Sequence, residues 1–242
     1  MDPRHGAEKQ VRAALERDPR VRLHTHPLKI SLDREGALLL DGELPDIAAK
    51  KVALRHAASV PGVNGIVDRL RITPSRTMSD AEIRDHVRDA LLEEPTLSGC
   101  SIRMADGGRW RSYPQSTAIP TCSIDIEVTD GVVTLNGTVS SLSQKRLAGV
   151  LAWWVPGSRD VINGLEVAPP EEDSDDEITE AVKVVLEKDP LINADRIRVT
   201  TRNAVVTLQG MVANHEEGEM AEMDAWYVFG VDQVVNQLEY AS

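Results

Sequence analysis

Apolar and polar positions alternate in one pattern that recurs three times along the chain, most clearly near its end. Ile178, Ala181, Val182, Val185 and Leu186 recur at helical spacing and predict a helix with one buried stripe. Ser174 stands before it as an N-cap, and Asp175, Asp176 and Glu177 place negative charge at the positive end of its dipole. Pro190 and Asn193 stop the helix. Ile197 and Val199 then alternate with Arg196, Arg198 and Thr200, the period of a strand buried on one side. Arg202-Asn203 predicts a tight turn into the apolar run Ala204-Val205-Val206-Thr207-Leu208-Gln209-Gly210.

Two earlier stretches repeat these signals. The first helices end at Asp18-Pro19, Glu94-Pro95 and Asp189-Pro190, and the runs Ala37–Gly42 and Val132–Gly137 match the strand ending at Gly210. Gly36 and Gly131 supply the preceding turns. Gly62, Gly157 and Gly230 each follow Gly42, Gly137 and Gly210 by 20 residues, an interval that only a shared structural constraint explains. Between them lies an alanine-faced helix (Ala53 and Ala57, Ala148 and Ala152, Ala221 and Ala225), with the later glycine expected as its C-cap. Ile66, Val161 and Val234 open a last strand. The expectation is an α/β (α+β) fold of three tandem αββαβ modules, each a three-stranded mixed sheet with two helices on one face. The boundaries read 1–75, 76–168 and 169–242, the third after an acidic linker.

These residues resemble the BON domain family. Asp130-Gly131-Val132-Val133-Thr134-Leu135-Asn136-Gly137 carries the family's hairpin pattern, and Gly62-Val63 and Gly230-Val231 its glycine-valine after the second helix. The third copy departs at Asn203-Ala204, where Asp-Gly is usual, and the second at Ser158, where Val is usual. The resemblance implies phospholipid or membrane-surface attachment, cell-envelope maintenance and osmotic-stress response.

Charge separates the copies. Residues 1–75 carry a net +3, residues 76–168 a net −3 and residues 169–242 a net −12. The acidic balance argues against nucleic acid as a partner. No apolar run is long enough for a transmembrane segment, and a start without an apolar stretch leads to the expectation of a cytoplasmic protein, alternatively peripheral at a membrane. His24 and His26 are too few for a metal site, and His56, His86 and His215 have no catalytic partner pattern, so no enzyme activity, catalytic residue, metal or cofactor is expected.

The second copy is enlarged. Pro95 to Gly137 spans 42 residues where Pro190 to Gly210 spans 20, which marks an inserted loop at about 99–122. It carries Arg109, Trp110, Arg111 and Tyr113, a cluster suited to an anionic ligand, a partner protein or a lipid headgroup layer. Cys100 and Cys122 flank it and are expected to be a reduced pair. Trp153, Trp154, Trp226 and Tyr227 near the ends of second helices suit packing between copies, or alternatively membrane or partner contact. Together these residues form the expected interaction surface of a non-enzymatic protein that mediates association with a protein partner or with itself. The alternative is attachment to a phospholipid surface.

Overall fold

The computed structural model describes residues 3–114 and 120–240, so residues 115–119 of the insertion and the terminal pairs 1–2 and 241–242 lie outside it. The chain divides into two compact units, 1–73 and 74–242.

The first unit holds α1 (Pro3–Arg17), β1 (Lys29–Leu32), β2 (Ala37–Leu44), α2 (Ile47–Ala58) and β3 (Gly65–Ile72). β1 pairs antiparallel with β2, and β2 pairs parallel with β3 across α2. Asp46 caps α2 by accepting the Ala49 N–H. Leu38, Leu40, Leu44 and Leu70 point to the helices and are fully buried. The buried Lys50 amine donates to the Leu70 carbonyl at 3.0 Å and pairs with Asp68 at 3.0 Å.

The second unit contains two such modules. One runs α3 (Asp80–Glu93), β4 (Cys100–Asp106), β5 (Arg109–Pro114), β6 (Cys122–Thr129), β7 (Val132–Val139), α4 (Leu142–Trp154), β8 (Asp160–Asn163) and β9 (Glu166–Val167). The other runs α5 (Asp175–Lys188), β10 (Ile197–Arg202), β11 (Val205–Val212), α6 (His215–Tyr227) and β12 (Gln233–Tyr240). The stripe Ile178, Ala181, Val182, Val185, Leu186 is the buried face of α5, and Ser174 caps it by accepting the Glu177 N–H. In both modules of this unit the first helix is fastened to its hairpin by its first residue. Asp80 accepts the N–H groups of Asp130 and Gly131, and Asp175 those of Asn203 and Ala204.

The marker glycines divide by role. A Cβ at Gly137 would collide with the Ser123 carbonyl on the neighbouring strand, and one at Gly210 with the carbonyl of Arg196, just before its neighbouring strand. Gly62, Gly157 and Gly230 are not the helix C-caps, a place taken by Ser59, Val155 and Val228. They lie in the turn beyond.

The middle sheet departs from the three-stranded plan. Its strand order is β5-β4-β6-β7-β8, with β9 also on β7, because the insertion is not a loop. β4 lies parallel on the edge of β6, and β5 returns antiparallel on β4. The cysteines are not a reduced pair either. Cys100 and Cys122 are register partners on β4 and β6 with Cα atoms 4.4 Å apart, and they form a disulfide joining the two ends of the insertion. Their spacing of 22 residues gave no sign that a parallel strand pair would bring them together.

Candidate interaction surfaces

The inserted hairpin distributes its residues over two faces. Ile102 and Met104 point into the core beneath α3, so their partners Tyr113 and Arg111 lie on that side. Tyr113 packs on the core with the Arg88 guanidinium 5.3 Å from its ring centre, and Arg88 also reaches the Met104 sulfur. Hydrogen bonds and charge from Asp89 and Asp85 hold the Arg88 pKa above its ordinary value. Arg84 donates to the Ala105 carbonyl at 2.9 Å, so α3 grips β4 through two arginines. Trp110 emerges on the opposite face, 50 % exposed, with the Arg103 guanidinium 5.6 Å from its ring. Arg103 in turn makes a bidentate pair with Asp125 on β6. Arg109 is exposed near the tip. The four predicted residues therefore do not form one patch.

The second predicted group lies where the two modules of the second unit meet. Trp153 of α4 stacks on Tyr227 of α6 with ring centres 5.7 Å apart. Trp154 packs on the core and donates its indole N–H to Asp224 at 2.8 Å, and Trp226 is fully buried. These aromatics join helix to helix. Around them sit ionic groups with no local sequence signature. Arg146 on α4, 1 % exposed, donates to the Phe229 carbonyl at 3.0 Å and pairs with Asp173. Lys188 of α5 pairs with the buried Glu94 beyond α3 at 2.9 Å. Burial opposes ionisation of Glu94, yet hydrogen bonds from Lys188 and Thr96 hold its pKa below the usual value. Asp224 goes the other way. Burial pushes it up to about 7 and the neighbouring Asp189 adds to this, against the Trp154 bond.

Each module carries, on the sheet face turned away from its own helices, an aliphatic side chain at one shared register position, namely Val67 opposite Leu39, Ile162 opposite Thr134 and Val235 opposite Thr207. Val67 and Ile162 are 46 % and 50 % exposed.

A family model described as the BON domain matches residues 5–74, 111–169 and 174–242. The chain belongs to the BON domain family. Its second match begins within β5, so α3 and β4 of that BON module lie outside the matched stretch although α3 takes the place of α1 and α5. Osmotically-inducible protein Y of Escherichia coli (strain K12) is 32 % identical over 127 residues, which is 50 % of this chain. The chain spans 63 % of the length of that curated relative. Two solved structures of CdsD, a structural protein of the Type III secretion system of Chlamydia trachomatis, match at 13 % and 14 % identity. They cover 100 % and 97 % of this chain, and 98 % and 92 % of their own, with TM-scores of 0.26 and 0.25, too low to carry any argument. Among the described residues no helix is long and apolar enough to cross a membrane, and no group of three or more His, Cys, Asp or Glu is placed to hold a metal ion.

Proposed function

We propose that the chain is a non-enzymatic interaction protein whose three BON modules, at about 1–75, 76–168 and 169–242, mediate protein association. The observation that carries this reading is the use of the modules' surfaces. The helices of the second and third modules are spent on each other through Trp153, Trp154, Trp226, Tyr227 and Arg146, which leaves the sheets as contact surfaces. Those sheet faces mix apolar residues, Leu39 and Val67 in the first module, Ile162 in the second and Val235 and Met211 in the third, with polar and charged ones, the mixed composition of non-obligate interfaces. The Cys100–Cys122 bond favours an oxidising compartment over the cytoplasm as the place of action.

Light scattering across a concentration series, with Ile162→Asp and Val235→Asp as variants, tests the reading. Association of the native chain that either variant weakens supports it. A strictly monomeric chain that also fails to cross-link to any protein of its own cell envelope contradicts it.

The second reading, a phospholipid surface in osmotic-stress maintenance, rests on the first module. Its uncovered face gathers Lys29, Arg69 and Arg71 around Val67 and Leu39. Asp41 stands between Lys29 and Arg69 in one row and Glu43 stands opposite Arg71, which weakens attraction to an anionic surface. Co-sedimentation with phosphatidylglycerol and phosphatidylcholine vesicles at low and high salt separates the readings. Salt-sensitive binding to the anionic vesicles alone would favour the lipid.

A further inference from the structure

Apart from β4 and β5, the second and third BON modules share one order of first helix, hairpin, second helix and returning parallel strand. Asp80 and Asp175 hold equivalent turns, so Arg88 corresponds to Lys183 and Leu91 to Leu186. Gly137 and Gly210 occupy the same strand position, so Asp125 corresponds to Arg198 and Ile126 to Val199. In the second module the outer edge of β6 is covered by β4. In the third the corresponding strand, β10, is the last in its sheet. Beside it lies a groove of about 410 Å³ lined by Lys183, Leu186 and Glu187 of α5 and by Ile197, Val199 and Thr200 of β10. It occupies the place that β4 fills beneath α3.

The two-residue turn Asn203-Ala204 makes Arg202 and Val205 a hydrogen-bonded pair, so the N–H and C=O of Val199 and Thr201 face the edge rather than β11. Among the described residues, no hydrogen bond from outside the sheet reaches the backbone of either. An uncapped edge of this kind is a template for another strand.

We infer that this edge and groove receive an extended segment of a partner protein, laid parallel to β10, with aliphatic side chains toward α5 and an acidic side chain opposite Arg198. The inference rests on the association reading and gives the partner a chemistry. β4 shows what fits such a slot: Ile102 and Met104 enter the core, and Arg103 between them pairs with Asp125. In the third module the charge at that point is reversed, because Arg198 replaces Asp125, and Arg198 and Arg202 make no ion pair among the described residues. The complement of the slot is therefore aliphatic-acidic-aliphatic where β4 is aliphatic-basic-aliphatic. The first module closes its own edge differently, with Glu8 of α1 accepting the outward N–H of Leu32 at 2.8 Å.

The test uses the full chain and two synthetic peptides. One is the Cys100–Asp106 sequence with serine for cysteine, and the other carries glutamate in place of Arg103 as well. The glutamate peptide is expected to bind about fivefold more tightly by fluorescence anisotropy, the scale of exchanging an attractive cross-strand charge pair for a repulsive one. In Arg198→Glu, an exposed site whose change leaves the core intact, the order of the two peptides reverses. Equal affinity of both peptides for the native chain, or no saturable binding of the glutamate peptide, overturns the inference. If neither peptide binds while the chain still associates through its sheet faces, the edge site falls and the association reading stands.

Discussion

The second and third BON modules set the same helix beside the same strand and finish the strand's edge in opposite ways. Around β6 the chain supplies its own neighbour, held by the Arg84 and Arg88 side chains above and the Arg103–Asp125 pair on the outer face. Around β10 the helix offers Lys183 and Glu187 over a groove, and the outer face offers Arg198. The difference shows that the fold does not need the added strands, since the third module keeps its buried core without them. An insertion at one point converts an open binding edge into a closed one.

Removing the disulfide probes the closed edge most strongly. Cys100→Ser with Cys122→Ser frees a segment of 22 residues, and its loop-closure entropy corresponds to a loss of about 3 kcal/mol in denaturant unfolding. The same loss on reducing the native chain, with no further loss on reducing the double variant, places the effect in the disulfide.

The surface shared by the two modules gives the next effect, through pH. A carboxyl raised from 3.8 to about 7 on folding holds its proton in the native state, where the unfolded chain has lost it. Stability therefore falls as pH rises from about 4 to about 7, and the loss is complete above the folded value. Asp224→Asn keeps an acceptor for the Trp154 indole and removes the charge. It is expected to exceed the native chain by a few kcal/mol at pH 8, with the gap closing toward pH 4. A constant gap across that range would separate Asp224 from the pH dependence.

The smallest effect comes from the turns. Asp130-Gly131 and Asn203-Ala204 adopt the same left-handed conformation, and Ala204 holds a φ of 58° that a side chain resists. Ala204→Gly is expected to stabilise the chain by about 1 kcal/mol in thermal or denaturant unfolding. No gain would mean that the third hairpin tolerates what the second avoids.

The fold was legible because its constraints are local. Gly137 and Gly210 stand where a neighbouring carbonyl leaves no room for a Cβ, and the stripe from Ile178 to Leu186 is the buried face of one helix. The insertion was misread for the opposite reason. Arg109-Trp110-Arg111-Ser112-Tyr113 alternates with the period of a strand, yet only the partner β4 shows that Tyr113 points inward and Trp110 outward. Arg146, Asp224 and Glu94 were missed because burial reaches them only when two modules meet, which no window of sequence contains. Among the predicted aromatics, Trp153, Trp154, Trp226 and Tyr227 lie where two modules meet, while Trp110 lies beside Arg103 on an outer face.

Amide hydrogen exchange of the native chain tests most directly whether the third module's edge is the open counterpart of the second's. The Ile126 N–H, facing β4, is expected to exchange slowly, while those of Val199 and Thr201 exchange fast and slow down when the glutamate peptide is added. Val199 and Thr201 amides as protected as that of Ile126 in the free chain would contradict the account.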